Sequence, residues 1–262
     1  MRYLLVPAIA LFASGLTLFS GFGLGTLLLP VFAIFFPVDL AVAATAAVHG
    51  ANNVFKASLL GRVADWKIVL RFGLPAVAAA LAGAWVLGLA SGLAPLASYS
   101  AMGRPASVTP VKLLMALMMA AFAVIELHPR FAKLELDRKY LSAGGLLSGF
   151  FGGLSGHQGA LRSAFLAKVG ISPEGFVGTN AVIGLLVDLT RLSVYAALLL
   201  GSNLTSRIGP NEGWLIVLGC LAAFAGVLLG KRLLKKVTMR LVQRTTGVLL
   251  LVVAALLGAG VV

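Results

Sequence analysis

Gly21-Phe22-Gly23-Leu24-Gly25 interrupts an apolar run that extends from residue 3 to residue 37. A second run, 140–170, is interrupted in the same way by Ser155-Gly156-His157-Gln158-Gly159. Broken backbone at membrane depth is tolerated only where protein or a water-filled cavity surrounds it. Both runs therefore read as helix–loop–helix hairpins whose tips meet inside the protein. Around them lie further apolar tracts at about 40–60, 68–90, 111–127, 175–200, 214–230 and 241–262. Those at 40–60, 68–90, 175–200 and 241–262 are long enough to cross a hydrocarbon core of about 30 Å.

Composition demands the same solvent. Of 262 residues, 60% are hydrophobic and 11% charged, and mean hydropathy is +1.03. A water-soluble domain carries about 25% charged residues, so this chain needs lipid around it. Arg2 followed by an apolar run resembles a signal peptide in outline, but the run reads better as a retained membrane segment. The net charge of +13 does not indicate a nucleic-acid partner, because the basic residues cluster in short stretches between apolar runs.

An internal repeat joins the two broken runs. Gly15, Gly25 and Thr45 are matched 134 positions later by Gly149, Gly159 and Thr179. With one added residue, Asn53 and Lys56 align with Asp188 and Arg191, and after a longer loop Trp66 meets Trp214. Each half then holds one hairpin and three crossings, an odd number that inserts the second half upside down. The expected fold is an all-α polytopic membrane protein of two inverted repeats, each a glycine-broken helical hairpin plus three transmembrane helices. The first repeat is 1–127, a cytoplasmic connecting loop is 128–139, and the second, inverted repeat is 140–262. Basic residues test the orientation: loops assigned to the cytoplasm and the helix end beside them hold thirteen Lys and Arg, from Arg62 to Arg244, against Arg2, Arg104, Lys112 and Arg207 opposite. That bias places the chain as a multi-pass protein of a bacterial-type inner membrane.

Polar residues fall in two stripes. Thr45, His49, Asn52 and Lys56 lie within about 60° of one another on a helix. Asn180, Gly184, Asp188, Arg191 and Tyr195 span about 80° on the repeat-equivalent helix. A cation inside a membrane helix usually faces a cavity, so Lys56 and Arg191 are expected to line a shared anion site. The alternatives are that Lys56 snorkels to the surface and that Arg191 serves only an ion pair with Asp188. Asn52, Asn53, Asn180, Thr45 and Thr179 would donate hydrogen bonds there, and His49 or Asp188 would carry a coupled proton. The hairpin tips, with Gly25, Ser155, His157, Gln158 and Gly159, are candidate cradles, because half-helix N-termini attract anions; glycines that merely let helices pack closely are the alternative.

Other chemistry finds little support. Gly153-Leu154-Ser155-Gly156 resembles the serine motif of intramembrane rhomboid proteases, yet no histidine stands at a matching later helix. Three histidines and one cysteine, all scattered, make no metal cluster. Cys220 reads as helix packing. No catalytic residue and no cofactor are expected.

The stretch Gly21-Phe22-Gly23-Leu24-Gly25-Thr26-Leu27-Leu28-Leu29-Pro30 resembles the glycine-rich segment of the TauE/SafE sulfite-exporter family. Ala41-Val42-Ala43-Ala44-Thr45 and Gly61-Arg62-Val63-Ala64-Asp65-Trp66-Lys67 follow as they do there, and Leu147-Ser148-Gly149-Phe150-Phe151-Gly152-Gly153 is similar to a return of the first motif. The family's usual glycine triplet is replaced by Gly23-Leu24-Gly25 in the first copy and by Gly156-His157-Gln158-Gly159 in the second. The resemblance implies secondary transport of a small anion, organosulfur, sulfite-like or carboxylate, by alternating access. A proton or sodium ion is the implied coupling partner and a homodimer one possible assembly. A passive anion channel is the rival reading, and a scaffold or receptor without flux a third.

Overall fold

The computed structural model describes residues 2–21, 23–101, 104–128, 136–166, 169–201, 210–233 and 239–261. Ten α-helices run through them: α1 Arg2–Ser20, α2 Leu24–Phe35, α3 Val38–Leu60, α4 Trp66–Ser91, α5 Pro110–Leu127, α6 Leu141–Ser155, α7 Gly159–Leu166, α8 Pro173–Gly201, α9 Pro210–Leu233 and α10 Met239–Gly258. Their boundaries follow local chemistry. Asp65 caps α4 by accepting from the backbone N–H groups of Lys67 and Ile68 at 2.9 and 3.1 Å. Thr109 caps α5, with Pro110 at its first position, where a missing N–H costs nothing. Both breaks expected from the glycines are present: Gly21 and Gly23 between α1 and α2 have φ of 71° and 128°, and Gly156 after α6 has φ of 83°. Only glycine adopts these values freely.

Among the described residues, four helices are long and apolar enough to cross a membrane: Trp66–Ser91, Pro110–Leu127, Pro173–Leu198 and Asn211–Gly230. The expectation for 68–90 and 175–200 agrees with this, whereas 40–60 and 241–262 are not among the four. Helix α3 is long, but His49, Asn52, Asn53 and Lys56 lower its hydropathy, and all four are buried by protein. Of the 241–262 tract, the side chains of 241, 242 and 262 lie outside the described residues, and the stretch Gln243–Gly258 is apolar. Large apolar side chains such as Leu74, Leu117 and Leu228 point outward while the polar stripes are buried, the arrangement of a multi-pass membrane protein.

The halves interlock. Helix α4 packs along α6, α1 along α9, α3 along α8 and α5 along α10. Backbones nearly touch at the first of these: a Cβ on Gly145, Gly149 or Gly153 would strike the carbonyl oxygens of Phe72, Ala76 and Ala80 in turn. This is a small-residue ladder with a four-residue period. Gly226 of α9 meets the carbonyl of Leu11 on α1 in the same manner. Apolar packing divides into two cores, one built on α4 and α6–α8 and a larger one built mainly on α1–α3, α5, α9 and α10. The polar helices α3 and α8 meet between them.

An element not expected from sequence is a β-ribbon, Ala97–Ala101 paired antiparallel with Arg104–Val108. It ties the end of the chain in place, since the Ser107 N–H donates to the Gly260 carbonyl at 3.1 Å. Lys235 and the other basic residues at 129–135, 202–209 and 234–238, along with Lys168, lie outside the described residues.

Candidate functional site

The α3–α8 crossing holds a polar network centred on Asp188, which is fully buried. Its Oδ2 accepts from His49 Nδ1 at 2.6 Å and from Asn53 Nδ2 at 2.7 Å. Its Oδ1 accepts from Arg191 Nε at 3.0 Å, Arg191 Nη2 at 2.7 Å and Gln158 Nε2 at 3.3 Å. Arg191 also donates to the Gly152 carbonyl at 3.3 Å. Lone pairs on both carboxylate oxygens are thus occupied, as a buried charge requires. Where α3 passes α8, a Cβ on Gly50 would lie 3.4 Å from the Asp188 Cβ, an ordinary packing contact.

Beside this network lies a cavity lined by Thr17, Gly21, His49, Asn53, Lys56, Arg162, Val177, Asn180 and Ala181. Lys56 does not snorkel: it is 5% exposed and its ammonium donates to the Thr17 hydroxyl. Opposite it, Arg162 is 2% exposed. Its Nε donates to Asn180 Oδ1 at 2.7 Å and its Nη1 to Gln158 Oε1 at 3.1 Å. Among the described residues no carboxylate lies in salt-bridge range of either cation. Gly184 leaves the room that Asn53 and Arg162 need, because a Cβ there would stand 2.6 Å from Asn53 Nδ2 and 3.2 Å from Arg162 Nη1. The lining comes from the end of α1, the second half of α3, Arg162 of α7 and the first turns of α8. The cavity therefore sits toward the face carrying the 61–65 and 169–172 connections.

The two hairpin tips do approach one another: a Cβ on Gly25 would be 3.2 Å from the Gly156 carbonyl and 3.6 Å from His49. Gly159 opens α7, and Gln158 bridges Arg162 to Asp188. The other expected residues are placed elsewhere. Ser155 and His157 bond one another at 3.0 Å, and the imidazole stacks on Phe122 at 5.0 Å. Thr45 donates to its own helix at Ala41. Asn52 accepts from Ser14, which forks to the Ala223 carbonyl and so links α1, α3 and α9. Thr179 accepts from the Asp65 N–H at the start of α4.

Sequence reading passed over Arg162 and Thr17. Arg162 was visible in principle, as an arginine inside an apolar run four residues past the broken tip. Thr17 gave no signal, since a threonine one turn from a helix end is common in membrane packing.

The family model described as Sulfite exporter TauE/SafE matches residues 6–257 of the chain. No curated protein and no solved structure matches it.

Proposed function

Because the chain belongs to the TauE/SafE sulfite-exporter family, a family of membrane transporters, we propose that it carries a small oxyanion or carboxylate by alternating access, held between Lys56 and Arg162. One observation carries this reading: two buried cations face a single polar cavity, and among the described residues no carboxylate stands in ion-pair range of either. A buried charge without a counter-charge costs several kcal/mol, and an anion in the cavity offsets that cost for both. Lys56 supplies a point charge and Arg162 a planar fork suited to oxyanions. Thr17, Asn53 and Asn180 are placed to orient the ligand. Arg191, tied to Asp188, positions the network and does not meet the anion.

Alternating access rests on the inverted-repeat reading, with halves 1–127 and 140–262 joined by a cytoplasmic 128–139. The packings of α1 on α9 and α4 on α6 are counterparts when the halves are exchanged, which supports it. The basic bias favours a bacterial-type inner membrane, with the cavity toward the cytoplasmic side. His49, beside Asp188, remains a candidate for a coupled proton at this site.

Binding of sulfite, thiosulfate, sulfoacetate and acetate to purified protein, read as thermal stabilisation, tests the site. At least one should raise the unfolding temperature in wild type and fail to do so in both Lys56→Gln and Arg162→Gln. Retained stabilisation in both variants would remove the cavity as the anion site. Uphill uptake of that anion into vesicles, driven by a pH or sodium gradient, separates a transporter from a channel.

A further inference from the structure

A second buried acid lies apart from the anion site. Glu126, near the end of α5, is 5% exposed, and its Oε1 has no hydrogen-bond partner. Thr246 on α10 is 1% exposed, and its hydroxyl is likewise unpartnered. The two belong to one interface. Helices α5 and α10 pack antiparallel, with Gly258 against Ala116 and Gly247 against Leu127. That register sets Thr246 beside the last turn of α5, where Glu126 lies. A buried carboxylate oxygen and a buried hydroxyl without partners on two packed helices are uncommon in a protein interior.

No cation among the described side chains answers Glu126. On α10, Arg244 is exposed. On α4, Lys67 and Arg71 are exposed. On α3, His49 is bonded to Asp188 and Lys56 to Thr17. On the second hairpin, Arg162 is bonded to Asn180 and Gln158, and His157 to Ser155. Lys112 sits at the opposite end of α5 and donates to the Ser107 and Gly260 carbonyls. His128 follows directly on α5, and α2 carries no charged residue. Two unpaired oxygens do not make the coordination shell of a metal ion, which takes six or more oxygen ligands for the common hard cations. They are sufficient to hold one proton.

We infer that Glu126, assisted by Thr246, is a proton-binding site distinct from the anion cavity. The position connects it to that cavity. Phe122, one turn earlier on the same face of α5, stacks on His157 at 5.0 Å and meets Phe151 edge-on at 5.6 Å. Gaining or losing a proton at Glu126 therefore acts on the hairpin tip whose next residue, Gln158, bridges Arg162 and Asp188. This link to the anion rests on the transport reading; the proton site itself does not.

Infrared spectroscopy of the purified protein tests it without any substrate. Wild type should show the C=O stretch of a protonated carboxyl that disappears reversibly on going from acid to alkaline pH. The band should be missing in Glu126→Gln and displaced in frequency in Thr246→Val. Should Glu126→Gln not fold, Glu126→Asp, which keeps the carboxyl one methylene shorter, should shift the band. A carboxyl region identical in wild type and a folded variant at every pH overturns the site. So does stabilisation by sodium chloride over choline chloride that is lost with Glu126, since the ligand would then be a metal ion. Either failure leaves the Lys56–Arg162 reading standing, because no anion enters the measurement.

Discussion

Among the described residues, Lys56, Arg162 and Arg191 are buried around one carboxylate, Asp188. In the proposed site, the cation that meets the anion is one that this carboxylate does not hold, and it holds Arg191 through two nitrogens. Two predictions separate the roles. Arg162→Gln and Lys56→Gln should leave a folded protein whose anion affinity falls roughly ten- to a hundred-fold, the loss of one charge-assisted hydrogen bond of about 1.5–3 kcal/mol; equilibrium binding of the stabilising anion measures it. Arg191→Gln should instead lower the unfolding temperature, because it strands a buried carboxylate at a cost of about 3–5 kcal/mol. Adding Asp188→Asn should restore stability only in part, since His49, Asn53 and Gln158 also donate to that carboxylate. Full recovery in the double variant would mean that Asp188 serves Arg191 alone.

At the scale of elements, glycines do two different jobs. Gly145, Gly149 and Gly153 of α6 form a contact ladder, where any side chain meets the backbone of α4. Gly149→Leu should therefore reduce the yield of folded protein, seen as loss of the monodisperse peak on size exclusion. Gly25 lies at the tip, where a Cβ has tight but passable surroundings. Gly25→Ala should fold and bind; Gly25→Leu should fold yet lose anion binding by wedging the tip away from His49. Equal binding by Gly25→Leu and wild type would reduce the tip to a packing contact. Trp66 and Trp214 are exposed at the first position of α4 and in the early turns of α9, where interfacial anchors stand in membrane helices.

At the scale of the whole molecule, labelling reads sidedness directly. In a Cys220→Ala background, a cysteine at Ser100 in the β-ribbon should react with an impermeant thiol reagent applied to intact cells. One at Val63, exposed in the 61–65 connection, should react only after permeabilisation. The reverse pattern, or equal access, would sink the inverted arrangement. Helix number and breaks, and the two polar stripes, were legible in sequence because each has a local cause. Apolar length reports the membrane, glycine reports backbone outside the L-residue regions, and the helical period collects Thr45, His49, Asn52 and Lys56 on one face, of which His49 and Lys56 reach the cavity. Arg162 escaped because α7 has only eight residues, too few for a period to show which way an arginine points. The β-ribbon escaped because its short strands are held by a distant carbonyl at Gly260. Charge pairing was undecidable from spacing alone: Arg191 stands three residues from Asp188, but so would an arginine that faced the cavity. Only the packing of α3, α7 and α8 around one carboxylate settled it, since a buried charge takes whichever partners the fold brings within hydrogen-bond reach.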